Sequence, residues 1–249
     1  MKLDESLEEI FYKKVGQDIP HHFFFIFDWK LNREKTDIWL ALERNFIRGL
    51  MLVYDGRAVH LRGDTIAADL MLRKLDIANP EFTVEPHHRQ LVLAKYPDLK
   101  EHVLTLMTLR RGEERLYPSD LVMRLKPEHA EEIANLLRSA NPEFWGSTTA
   151  ERIKTSMVRA NWVGIIIGGE MVSVGSVTPT DHAALIGIVA TREPYRNRGY
   201  ATSVVSALLE SVLAINELVL IHVLKDNLSA RRVYEKVGFK PFRDYILFR

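Results

Sequence analysis

The chain has 249 residues, 47% of them hydrophobic, enough for one large domain or two of ordinary size with real cores. Thirty-four Lys and Arg against 33 Asp and Glu leave a formal net charge of +1, so neither nucleic acid nor an anionic membrane is an expected partner and any basic function must be local. The absence of cysteine removes disulfides, thiolate nucleophiles and cysteine metal sites together, which suits a reducing, cytoplasmic location.

Met1 to Ile10 is acidic and amphipathic, unlike a secretory signal, and no apolar run approaches the roughly 20 residues needed to span a bilayer. Leu3 to Val15 reads as an opening helix. His22 to Trp29, rich in phenylalanine and of strand length, reads as a buried strand whose rings pack rather than bind. Ile38 to Glu43 reads as a further strand, and Gly49 to Arg62 as a hairpin turning at Asp55-Gly56. The pattern then predicts a helix over Thr65 to Leu75, an extended stretch over Phe82 to Glu85, a helix over His88 to Lys95 and a strand over Val103 to Leu109. The adjacent pairs His21-His22 and His87-His88 would diverge on a strand or a helix, so no metal site is expected. The charged, Gly- and Pro-containing connection from Arg110 to Ser119 marks the boundary between an N-terminal α/β domain, 1–118, and a C-terminal domain, 119–249.

In the second domain Leu121 to Leu125 reads as a strand, and Pro127 opens a helix reaching Arg138. A second helix is expected over Ala150 to Val158. Val163 to Ile167, the turn Gly168-Gly169 and Met171 to Val177 form a hairpin. Ala183 to Thr191 is a continuous apolar run, the pattern of a strand buried on both faces. A loop broken by Pro194 follows. After Gly199 the residues Ala201, Val204, Val205, Leu208, Leu209 and Val212 recur at helical spacing. A strand therefore passes through a basic, glycine-containing turn straight into a helix whose first amides lack partners, the arrangement of an anion cradle. Arg196 and Arg198 add charge suited to a diphosphate, and no acidic residue intervenes up to Thr202. Downstream, Leu218 to Leu224 reads as another strand, Asn227 as a helix N-cap and Gly238 as that helix's terminator.

Arg196-x-x-Gly199-x-Ala201 and Asn227-x-x-Ala230-x-x-x-Tyr234-x-x-x-Gly238-Phe239, each behind a strand, resemble the two cofactor motifs of the GNAT superfamily of acyl-CoA-dependent N-acyltransferases. The resemblance covers the last 130 residues or so. It implies an α/β (α+β) fold with a mixed, splayed sheet flanked by helices, acetyl-CoA or another acyl-CoA as co-substrate, a small amine, amino acid or peptide as acceptor, and no metal. The extra N-terminal domain resembles the glycine N-acyltransferase-like branch, whose first domain is a degenerate relative of the second; residues 1–118 carry no repeat of the Arg-x-x-Gly-x-Ala signature. By the same resemblance, the backbone of Val189, Ala190 and Thr191 pairs with the pantetheine arm. The amides of Arg196, Asn197, Arg198, Gly199, Tyr200, Ala201 and Thr202 hold the pyrophosphate, Asn227 contacts the pantetheine, and Tyr234 is the general acid for the departing thiolate.

The proton acceptor departs from the family pattern, because the position where many relatives carry glutamate is Leu185 here. Glu170, Asp181, His182 and His222 are the remaining candidates, of which His222 is carried as catalytic; a satisfied core histidine is its alternative reading. An α-amine, with a pKa of about 7.7 to 8.0, needs such a base less than a lysine at about 10.4, which favours an α-amino acceptor. The rival function is an acyl-CoA-binding sensory or scaffolding module that keeps the cradle and has lost transfer. Nucleotide hydrolysis and dinucleotide redox lack their glycine-rich loops. Oligomeric state has no signature in the sequence.

Overall fold

A computed structural model describes every residue from Met1 to Arg249. The chain divides into two compact units, one of Met1–Leu106, Leu224–Asp226 and Phe242–Arg249, the other of Met107–Val223 and Asn227–Pro241. The charged connection 110–119 lies within the second unit.

The first unit opens with helix α1 (Glu8–Val15) and helix α2 (Ile19–Leu31). Helix α2 corrects the strand expected over His22–Trp29. Asp18 caps it by accepting from the His21 amide, and Pro20 occupies its first turn, where a missing N–H costs nothing. The 3.6-residue period was hidden because the helix is enclosed on nearly every side: His21, His22, Phe23, Phe25, Ile26, Asp28 and Trp29 are all buried. The packing role expected of the aromatic run holds, since Phe25, Ile26 and Trp29 share a core with Phe11, Ile38, Leu40, Leu50 and Leu52.

Strands β1 (Thr36–Glu43), β2 (Phe46–Tyr54), β3 (Ala58–Gly63) and β4 (Glu81–Val84) follow, with helices α3 (Thr65–Lys74) and α4 (Arg89–Lys95) after β3 and β4. β1, β2 and β3 are antiparallel neighbours, β3 and β4 are parallel, and the final strand β11 (Lys240–Phe248) pairs antiparallel with β4 over residues 246–248. The β2–β3 hairpin turns at Asp55 and Gly56, with φ of 50° and 64°, the two left-handed residues that a tight hairpin demands. Leu50 and Leu52 face α2, whereas Met51 and Val53 join a second core with Met71, Leu72, Phe82, Val84 and Phe248. Both faces of β2 are covered, which is why its sequence is a run rather than an alternation.

The second unit receives the end of strand β5 (Glu101–Arg110), whose Met107 and Leu109 enter its core. Then come β6 (Val122–Arg124), α5 (Ala130–Ala140), the short α6 (Pro142–Trp145), α7 (Ala150–Met157), β7 (Asn161–Ile167), β8 (Glu170–Pro179), β9 (Ala184–Thr191), α8 (Tyr200–Leu213), β10 (Leu218–Leu224) and α9 (Leu228–Val237). The strand order β10-β9-β8-β7-β6 is antiparallel except where β9 meets β10. Helix α8 packs on this sheet through Val204, Val205, Leu208, Leu209 and Val212, which share a core with Val172, Val177, Ile186 and Val219. Gly175 on β8 permits the close approach: a Cβ there would stand 2.7 Å from Val204 Cγ1 and 2.9 Å from Leu208 Cδ1. On the opposite face α5 buries Ile133, Leu136 and Leu137 with Ile153, Trp162 and Val174. No helix is long and apolar enough to cross a membrane.

Candidate active site

The candidate site begins where one strand loses a neighbour. β9 pairs with β8 along its length, from Ser173–Thr191 to Pro179–Ala184, with a register shift that makes Gly187 the bulged residue. Its other edge pairs with β10 only at Ala184–Val219, Leu185–Leu220 and Ile186–Ile221. From Gly187 onward the parallel strands part, so residues 187–191, including Val189, Ala190 and Thr191, present an edge without a strand partner. Such an edge accepts an added strand-like ligand through main-chain hydrogen bonds.

The chain leaves β9 through Arg192 and a single 3-10 turn, Glu193–Tyr195, and enters α8. Asn197 and Gly199 both take left-handed φ, 61° and 84°. Nothing lies within 4 Å of the place where a Cβ on Gly199 would stand. No side chain caps α8 and no acidic residue occupies its first turn. The backbone amides of residues 197–202 donate to no protein acceptor, the first bonded one being Ser203 to the Gly199 carbonyl at 3.1 Å. Six consecutive unpaired donors at the positive end of a 14-residue helix attract an oxyanion.

The two arginines of the motif differ in their engagement. Arg196 donates to the Thr191 and Ala140 carbonyls, both at 3.3 Å, bracing the loop against the end of α5. Arg198 is exposed, its guanidinium 5.4 Å from the Tyr195 ring centroid. Arg192, not singled out from the sequence, donates to the Met171 carbonyl at 2.8 Å and pairs with Glu170 at 3.2 Å. Glu170 also accepts from the Tyr195 hydroxyl at 2.9 Å, which raises that phenol's pKa. Its carboxylate is thereby tied into the loop's framework.

Asn227 caps α9, its Oδ1 accepting from the Ala230 amide at 3.2 Å and the Ser229 hydroxyl at 3.0 Å. Two turns on, Tyr234 is 5% exposed in the core formed with α8, its ring edge-on to Phe239 at 6.1 Å. Its hydroxyl has no hydrogen-bond partner in the protein. Burial alone pushes the phenol well above the usual tyrosine range, so it is fully protonated at neutral pH.

Of the remaining base candidates, Asp181 and His182 occupy the exposed β8–β9 turn, where Thr180 Oγ1 accepts from the amides of His182 and Ala183. That turn is at the far end of β9 from the cradle, about 17 Å along the strand from Val189 at ~3.3 Å per residue. His222 is half-buried and is the first β10 residue beyond the last β9 pair. Its register neighbour is Gly187, and it alternates with Ile221 and Val223, which face the α8 core, so it points to the sheet's other side. Leu185 pairs with Leu220 and Thr178 and is apolar.

The histidine pairs of the first unit do not diverge as expected. His87 and His88 sit on a 3-10 turn, and both Nε2 atoms lie 2.9 Å from the Gly63 carbonyl. With Glu85 their ligand atoms fall within 4.8 Å of one another. Hydrogen bonding accounts for the cluster, since Glu85 Oε2 also accepts from the Gly63 amide at 3.0 Å.

Residues 130–239 match the family model described as "Acetyltransferase (GNAT) family". No curated protein matches the sequence. Among solved structures, a Drosophila protein is similar at 11% identity and a TM-score of 0.73, covering 100% of this chain and 98% of its own. A GNAT-family acetyltransferase from Colwellia psychrerythraea covers 100% and 98% at 12% identity and a TM-score of 0.61. A GCN5-related N-acetyltransferase-like protein from Streptococcus suis covers 89% and 91% at 17% identity and a TM-score of 0.61. At these identities the structures speak for the fold, while the sequence match is confined to residues 130–239. The β9–β10 fork and the α8 cradle both lie inside the stretch 130–239 that is similar to the GNAT acetyltransferase family.

Proposed function

We propose that residues 119–249 catalyse transfer of an acyl group, acetyl in the simplest case, from acyl-CoA to an amine, with the α-amine of an amino acid or peptide as the favoured acceptor. The observation that carries this reading is the run of unpaired amides 197–202 beside the open edge 187–191. Together they offer the two groups that coenzyme A needs: oxyanion donors for its diphosphate and a strand edge for its amide-bearing arm. Arg198 adds charge at the cradle, and Asn227 would contact the arm without giving up its cap.

Acyl transfer to an amine requires a neutral nucleophile, a positioned carbonyl and a proton for the departing thiolate. Tyr234 is suited to the last task, being protonated at working pH and bonded to nothing else. A phenol held only for packing would have its hydroxyl satisfied by a neighbour. This also weighs against a binding module without turnover, which needs no proton donor there. His222, at the vertex of the fork, is the acceptor of the amine's proton in this proposal, directly or through water. The two-part organisation is proposed to be that of the glycine N-acyltransferase-like branch; supporting it is the α/β unit ahead of the GNAT domain.

The test is release of free thiol from acetyl-CoA, and from longer acyl-CoAs, with a panel of amino acids, peptides and simple amines. Turnover with at least one amine is expected. Tight coenzyme A binding by calorimetry with no turnover across the panel would favour the silent module, and no binding at all would overturn both readings.

A further inference from the structure

Within the first unit lies a cavity of about 320 Å³ whose charged lining is Lys14, Asp18, Arg48, Arg62, Glu85 and Arg243. It is room for about ten waters or as many non-hydrogen atoms. Arg62 stands out because it is 3% exposed and no carboxylate lies within ion-pair distance of it. Its Nη1 donates to the carbonyls of Leu61 at 2.9 Å and Thr83 at 2.8 Å, and its Nε to the His21 carbonyl at 3.4 Å. The Tyr245 ring lies 4.2 Å beneath the guanidinium. Dipoles and a π face surround the charge, and Glu85, the opposing carboxylate of the lining, acts on it from beyond ion-pair distance. A buried charge with no counter-charge in contact is a costly arrangement for a fold to keep.

The rest of the lining sharpens the sign. Asp18 is committed to Arg243 at 3.0 Å, and Arg48 pairs with Asp64 at 2.9 Å. Glu85 is fastened by the Gly63 amide. Lys14 makes no ion pair. His21 is held neutral, by burial first and then by the Arg62 charge, and its Nδ1 lies 2.7 Å from the Tyr245 hydroxyl. What faces the cavity is an excess of positive charge around Arg62.

We infer that this cavity is a binding site for a small molecule bearing an oxyanion, carboxylate or phosphate, held against Arg62 with Lys14 as the second cation. With Nε and Nη1 given to carbonyls, Arg62 offers either group its delocalised charge and, at most, the hydrogens of Nη2. A concavity of this volume with a fixed charged residue to orient its occupant falls within the size range of small-ligand sites. The site is separate from the amide cradle and does not depend on the acyl-transfer reading.

Calorimetric titration of the full chain at constant ionic strength with acetate, succinate, benzoate, L-glutamate and inorganic phosphate tests it; comparing the carboxylate and phosphate arms identifies the group. Saturable binding of at least one anion is expected, with affinity falling about tenfold in Lys14→Glu, which reverses a nearby charge without touching a buried contact. Arg62→Met should abolish binding while circular dichroism stays native. If Arg62→Met does not fold, Lys14→Glu decides alone. Absence of binding across the panel, or binding unchanged in Lys14→Glu, would overturn the inference.

Discussion

At the scale of single residues the separation between packing and chemistry is sharpest at Tyr234. Its ring is part of the core, but its hydroxyl stabilises nothing, since no protein group receives or offers a bond to it. Tyr234→Phe should therefore leave the melting temperature unchanged. Loss of a satisfied buried hydroxyl would instead cost about 1 kcal/mol or more. If the phenol is the proton donor, kcat should fall by about 10²- to 10⁴-fold, with the KM for acyl-CoA little altered. Steady-state kinetics and a thermal scan on the same preparation distinguish the cases. A lowered melting temperature with full activity would return Tyr234 to the core.

At the scale of elements, α8 and α2 show opposite ways in which a sequence declares itself. The start of α8 was legible because it is marked by departures from helical habit: a glycine at φ 84°, no capping side chain and no acid in the first turn. Gly199→Ala should cost about 1–2 kcal/mol from the left-handed backbone and place a methyl group in open space at the cradle. The expected result is a KM for acyl-CoA raised about tenfold with kcat at saturation nearly intact. Gly199→Asn, which tolerates left-handed φ, should recover stability without recovering affinity, and recovery of both would remove the cradle from the binding site. The β9–β10 fork was legible only through family resemblance, because register is set by pairing across the sheet and not by local pattern. Helix α2 was misread because burial on all faces erased its period, leaving the Asp18-x-Pro20 cap as the only local signal. That enclosure has a testable cost. Asp28 is buried on α2, and desolvation raises its carboxyl to about 6 from 3.8, partly offset by the Asn32 amide at 2.9 Å. Between those values the folded chain holds a proton that the unfolded chain has lost, so this contribution to stability falls as pH rises from 3.8 to 6 and is gone at pH 7. Asp28→Asn should raise the urea midpoint at pH 7, by up to about 3 kcal/mol in stability, and change it little at pH 4. Equal shifts at both pH values would show that the carboxyl is not the cause.

At the scale of the whole molecule, Asp28 and three buried histidines whose titration the fold displaces belong to the first unit. His22 is lowered to about 4 by burial, with the Asp18 carbonyl opposing, and His88 to about 4 by burial and by His87. His21, beside Arg62, is lowered further still. Each is neutral in the fold and would gain a proton near pH 6.5 once unfolded. Their contribution to stability is complete above 6.5 and is lost as pH falls towards 4, up to about 3 kcal/mol for each of His22 and His88. Asp28 works in the opposite sense over part of the window, but one carboxyl does not outweigh three imidazoles. In the second unit Tyr234 and Tyr195 stay protonated throughout, and the exposed Glu113 is drawn down by Lys240. Acid should therefore act unequally. Hydrogen exchange followed by mass spectrometry, corrected for intrinsic rates and stepped from pH 7 to pH 4.5, should show protection lost in β1–β4 and α2 while β7, β8 and α8 keep theirs. Parallel loss in both units would mean that these histidines do not govern the acid limb. Loss confined to the second unit would place the acid-labile groups outside the first unit's histidines. The expected pattern leaves the amide cradle competent at pH values where the Arg62 cavity has begun to open, so coenzyme A binding should outlast oxyanion binding as the solution is acidified.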